Sequence, residues 1–140
     1  MAQTQVAWRT DHQQEAHTVR SRLFTVLTAV TAVVIVLQGV WAGLFIHEGH
    51  DYQQSWVDVH ARGGDLAIGL ALVATVVAVV KLRSRPVLVA GSFVLMVLLA
   101  LEAFLGGLIG DAPAMTVVHF PLALALMALA IWLPLRSARG

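Results

Sequence analysis

Two histidines in otherwise apolar sequence are the residues of this chain best suited to chemistry. His119 sits a turn inside the segment Thr116 to Leu135, directly before Phe120 and Pro121, and is the one ionisable residue there. An ionisable ring in hydrocarbon is costly, so it is expected to face a bundle interior and a partner. His60 stands at the start of an earlier apolar segment that must cross a membrane in the same direction. Two imidazoles at one depth can be the axial ligands of a haem iron, and facing helices of a bundle are a usual place for them. They could also hold a divalent metal, although zinc or copper wants a third or fourth ligand and none is obvious nearby. The remaining alternative is that each ring hydrogen-bonds a neighbouring helix and holds nothing.

Other polar residues qualify as helpers. Gln38 and Glu102 lie in the outer parts of their apolar segments. An acid there must be partnered or protonated, and the two side chains could share a hydrogen bond or orient a histidine through its second nitrogen. Arg62 follows His60 by two positions and could pair with a haem propionate, or with Asp65 one turn on. His47, Glu48, His50 and Asp51 crowd one loop and could catch a metal ion or simply be solvated.

The elements that must position these residues are transmembrane helices. The chain has 140 residues, of which 59% are hydrophobic and 12% charged; its mean hydropathy is +0.81. A soluble domain carries about 25% charged residues. There is no cysteine, which excludes disulfides, iron–sulfur clusters, thiolate metal sites and covalent haem attachment through Cys-x-x-Cys-His. The run from Leu23 to Ile46 spans about 36 Å as a helix, enough to cross a bilayer core of about 30 Å with some tilt. It is too long for a signal peptide and is read as an uncleaved first span. Four helices are expected, at about 23–46, 60–80, 86–109 and 116–135, after a polar tail at 1–22 and before a short end at 136–140. The tail is expected to form a short surface helix through Val6, Trp8 and Val19.

Charge placement orients the bundle. Of nine basic residues, all but Arg62 fall in the tail, the turn Lys81-Leu-Arg-Ser-Arg-Pro86 or the C-terminal end. The positive-inside rule then puts both termini and this turn in the cytoplasm. Trp41, Trp56 and Trp132 suit the two interface belts.

An internal repeat refines the expectation. Leu37-Gln-Gly-Val-Trp-Ala-Gly-Leu44 aligns without gaps to Leu101-Glu-Ala-Phe-Leu-Gly-Gly-Leu108, and each is followed by an outer loop and a histidine. Two hairpins in the same orientation imply a pseudo-twofold axis along the membrane normal, with His60 and His119 as mates. The pairs Gly39-x-x-x-Gly43 and Gly106-x-x-x-Gly110, with Gly63, Gly64 and Gly69, are expected to let helix backbones approach closely or to leave room for a flat cofactor.

This repeated pattern, Gln-x-x-x-x-Gly, a loop, then histidine, resembles one four-helix half of bacterial haem A synthase. It also resembles small four-helix bacterial membrane proteins with the same repeat. The matching positions are His60 and His119, with Gln38, Gly43, Glu102 and Gly107. The resemblance implies the haem-holding half. The synthase's catalytic half has a glutamate shortly before the second-helix histidine; here the nearest acid is Asp58, and Glu48 is far upstream.

The expectation is therefore an all-α, antiparallel four-helix membrane bundle of two hairpin repeats. It would bind one haem b near the outer face through His60 and His119, with Arg62, Gln38 and Glu102 around it, for electron transfer or haem handling. No catalytic residue and no nucleic-acid partner are expected. The partners are the lipid bilayer and a larger membrane complex or a second copy. The alternatives are a cofactor-free accessory subunit of such a complex, or a small transporter or metal-handling protein using the His47/His50 loop.

Overall fold

The structure is a computed structural model that describes the backbone of residues 2–47 and 54–139 and the side chains of 22–46 and 54–139. Its elements are α1 (Ala2–His47), α2 (Gln54–Lys81), α3 (Pro86–Leu108), a short 3-10 turn (Pro113–Met115) and α4 (Thr116–Ala138). All four helices contain a stretch long and apolar enough to cross a membrane: Arg22–Ile46, Gln54–Lys81, Pro86–Leu108 and Pro113–Ala138. Helices suit that setting because every backbone N–H and C=O in lipid must be satisfied within the segment.

Two expected boundaries move. The polar tail is not a separate surface helix: α1 runs unbroken from Ala2 to His47, so the polar segment extends the first span. Helix α2 begins at Gln54 rather than near His60. His60 therefore lies in its second turn, and part of the loop expected between the first two helices is helix. Of the loop cluster, Glu48, His50 and Asp51 lie outside the described residues, as does the side chain of His47.

The helices form a four-membered ring, with α1 against α2 and α4, and α3 against the same two. Each contributes a stripe with alternating steps of three and four. On α1 it is Phe24, Thr28, Thr31 and Ile35; on α2, Ala67, Ala71, Ala74 and Ala78; on α3, Leu88, Ser92, Leu95 and Leu99; on α4, Leu126, Ala130, Leu133 and Ser137. Such a 3.5-residue period keeps one seam facing the neighbours along a left-handed crossing. The alanine stripe of α2 brings backbones close, which matters where lipid offers no hydrophobic drive for association. The buried hydroxyls are absorbed locally: Thr28 donates to Phe24 O (2.9 Å), Thr31 to Leu27 O (2.8 Å), Thr75 to Ala71 O (2.8 Å) and Ser92 to Val89 O (3.0 Å).

One end of the bundle is tied by polar contacts. Thr25 Oγ1 donates to Ser137 Oγ at 2.9 Å, joining α1 to α4. Arg85, in the α2–α3 turn, donates to the carbonyls of Ser137 (3.1 Å) and Arg136 (3.0 Å). The last carbonyls of a helix have no intrahelical donor and carry the negative end of its dipole, so a guanidinium caps α4 well. At the opposite end the packing loosens. Beyond Ile35 in α1, and before Leu126 in α4, no described residue is buried; α2 and α3 bury only Gly63 and Glu102 there.

Candidate functional site

The loosely packed end is where the sequence-predicted residues meet. His60 and Gln38 come together from α2 and α1. The ring Nδ1 lies 3.1 Å from the main-chain carbonyl of Gln38. The Gln38 side chain reaches the same atom and more: its Nε2 lies 3.0 Å from His60 Nδ1 and donates to the His60 carbonyl (2.7 Å), while its Oε1 accepts from the Gly64 N–H (3.2 Å). Those two backbone groups are an i, i+4 pair, which an α-helix joins to each other. The amide thus clamps the turn of α2 that carries His60. A protonated Nδ1 donates to the Gln38 carbonyl; a bare one accepts from the amide. In either tautomer the Nδ1 edge of the ring is tied to α1.

Close approach of α1 to this turn requires Gly63. A Cβ at that position would collide with the end of the Gln38 amide and with Trp41 Cζ3. Trp41 lies over Gly63. Phe45 completes this side, its ring edge-on to His60 with centroids 5.6 Å apart. Gln38, Trp41 and Phe45 follow steps of three and four, so the face that holds His60 is a helix face; that spacing was a usable signal for Phe45, which sequence reasoning missed.

The second pair is Glu102 on α3 and His119 on α4. His119 Nδ1 stands 3.0 Å from Glu102 Oε1, with side-chain exposures of 12% and 11%. The approach is close but off the hydrogen-bonding direction, so neither carboxyl oxygen nor Nδ1 has an aligned hydrogen bond among the described residues. The ring edge of His119 rests on Gly106, where a Cβ would lie 3.0 Å from Cε1. Gln38 and Glu102 do not bond each other; each holds the histidine of the helix that follows its own.

No hydrogen bond to the Nε2 of either histidine ring is formed by the described residues. These described residues contain no group of three or more His, Asp or Glu placed to hold a metal ion. Arg62 is exposed on α2 and makes no ion pair with Asp65. The glycine expectations divide. Gly63 and Gly106 meet a neighbouring helix as expected, whereas a Cβ at Gly39, Gly43, Gly64, Gly69, Gly107 or Gly110 would meet nothing among the described residues. Comparison of the chain with protein-family models, with curated proteins and with solved structures finds no match.

Proposed function

We propose that the chain is a multi-pass membrane protein that binds one haem b between α2 and α4, with His60 and His119 as axial ligands. The observation that carries this reading is the disposition of the ring nitrogens. His60 Nδ1 is tied to the Gln38 carbonyl at 3.1 Å, His119 Nδ1 lies 3.0 Å from Glu102 without an aligned hydrogen bond, and neither Nε2 is hydrogen-bonded among the described residues. Metal-binding imidazoles are normally held in this way, with the second nitrogen fixed by a carbonyl or carboxylate. The loose packing around both rings supports the same reading.

A haem bound by two imidazoles supplies one-electron chemistry without an open coordination position, which favours electron transfer or haem handling over oxygen chemistry. The chain's own residues hold and orient the ligands: Gln38 through the clamped turn of α2, Glu102 through His119. Arg62, exposed two positions after His60, is suited to a propionate at the rim. The two helix pairs act as hairpin repeats about an axis between the histidines, in a bacterial inner membrane with both termini cytoplasmic. A reporter fused after Gly140 should behave as cytoplasmic and one inserted between α1 and α2 as external; the opposite labelling would reverse this placement. Absorption spectroscopy of the purified protein is the direct test of haem, and a protein without a Soret band would rule the haem reading out.

A second reading, a cofactor-free accessory subunit of a larger membrane complex, is favoured by one observation. Both histidines already contact a polar residue of the preceding helix, as purely architectural histidines do.

A further inference from the structure

At the end remote from the histidines, the α2–α3 turn places three cations in five residues, Lys81, Arg83 and Arg85. Arg85 is occupied in capping α4. Lys81 and Arg83 are exposed, and neither makes an ion pair among the described residues. Arg83 is nonetheless not a free rotor. Its Nε donates to the Val79 carbonyl at 2.8 Å, which holds the guanidinium against the last turn of α2, and its terminal nitrogens make no hydrogen bond among the described residues.

Below that guanidinium runs an open groove of about 530 Å³, lined by Val79, Arg83, Pro86, Val89, Ala90 and Phe93. Arg83 is the one charged residue in its wall. The groove follows the last turn of α2 and the first two turns of α3, about 10 Å along the helix axis from Pro86 to Phe93. Val79 and Phe93 are 44% and 54% exposed, on a surface of spanning helices that faces lipid. A pinned cation at the mouth of an apolar channel has the shape and polarity of a phospholipid turned around: phosphate at the interface, acyl chain beneath.

The sign of the headgroup follows from the distribution of charge. Among residues with described side chains, six of the seven Lys and Arg (Arg22, Lys81, Arg83, Arg85, Arg136 and Arg139) lie at this end, while Asp58, Asp65, Glu102 and Asp111 lie toward the other with Arg62. No described acid stands near to offset Lys81 and Arg83, so a net negative headgroup is preferred over a zwitterionic one. We infer that the groove between α2 and α3 is a binding site for one anionic phospholipid, with its phosphate on Arg83, assisted by Lys81, and an acyl chain on Pro86, Val89, Ala90 and Phe93. This site is independent of any haem.

Native mass spectrometry of the full chain, released from micelles containing equal phosphatidylglycerol and phosphatidylcholine, tests the inference. The wild type should retain one phosphatidylglycerol in preference to phosphatidylcholine. Arg83→Gln should weaken that retention about fivefold, the effect of one interfacial cation, and Ala90→Trp should abolish it by filling the groove with every charge intact. Both positions are exposed, so neither change disturbs the core. Arg136→Gln, an exposed cation outside the groove, should retain the lipid as the wild type does. Equal retention of the two lipids by the wild type, or undiminished retention by Arg83→Gln or Ala90→Trp, would overturn the site.

Discussion

The two ends of this bundle use the same kind of helix for opposite purposes. At the Ser137 end, large and small side chains interlock: Phe24, Leu88 and Leu133 are fully or almost fully buried, and Arg85 and Thr25 cross-link the helices with polar bonds. At the histidine end, neighbouring helices touch through Gly63 under Gln38 and Trp41, and through Gly106 under His119. Without a hydrophobic drive between helices in lipid, dense van der Waals contact is what stabilises. The interlocked end therefore carries the stability. The other end leaves ionisable side chains between helices, where they can act on something other than the protein.

The histidine end contains a smaller contrast. Gln38 binds both the ring and the backbone of α2, a neutral clamp with its hydrogen bonds made. Glu102 approaches His119 closely but with poor alignment, a carboxyl whose oxygens lack aligned partners. The first arrangement suits positioning; the second places a chargeable group beside the His119 ring.

The largest effect should separate the two ends outright. On the haem reading, His60→Ala and His119→Ala should each abolish the low-spin six-coordinate spectrum, leaving high-spin or haem-free protein, with the bundle still folded by circular dichroism. His47→Ala and His50→Ala should not do so. If both membrane histidines can be replaced with the bound-haem spectrum unchanged, the ligands lie elsewhere.

At the interlocked end the converse is expected. Leu133→Ala should destabilise the bundle by about 1–3 kcal/mol, toward the low side of soluble cores because the surroundings on unfolding are lipid rather than water. The protein that stays folded should keep its spectrum. A change in axial ligation from Leu133→Ala would mean that the two ends are mechanically coupled.

Gly63→Ala sits between these extremes. The added methyl meets the Gln38 amide and Trp41, both on α1, so α1 and α2 must separate or the clamp must reorganise. Overpacking of this kind costs about 1–3 kcal/mol. It should also disturb the His60 environment, seen as a broadened or split ligand signal in electron paramagnetic resonance. A fully wild-type variant would show that the clamp is dispensable.

The smallest effect is electrostatic. Glu102→Gln should leave haem bound while moving its midpoint potential, because it replaces a chargeable group with a neutral one beside a ligand ring in a low-dielectric setting. Gln38→Ala should chiefly loosen the orientation of His60, with a smaller change in potential. Equal effects of the two would erase the contrast between clamp and carboxyl.

Much of this architecture was legible from order along the chain. Apolar runs of spanning length, the basic turn before Pro86 and the scarcity of charge point to four helices long and apolar enough to cross a membrane, since backbone in lipid has few other ways to satisfy itself. The spacing from Gln38 to His60 and from Glu102 to His119 pointed to four side chains at one end. Partner choice was not legible. Whether Gln38 meets Glu102 or His60 depends on the rotation of each helix about its own axis, which the interlocking stripes beginning or ending at Phe24, Ala67, Leu99 and Leu126 decide along the whole bundle. The glycines teach the same lesson. Gly39-x-x-x-Gly43 reads as a packing motif, yet the helix rotation turns it to open space and spends Gly63 and Gly106 instead. Sequence determines which residues can share a helix face, because the helical repeat is local. Only the tertiary structure decides which face meets which neighbour, because that is settled by the sum of contacts along all four helices.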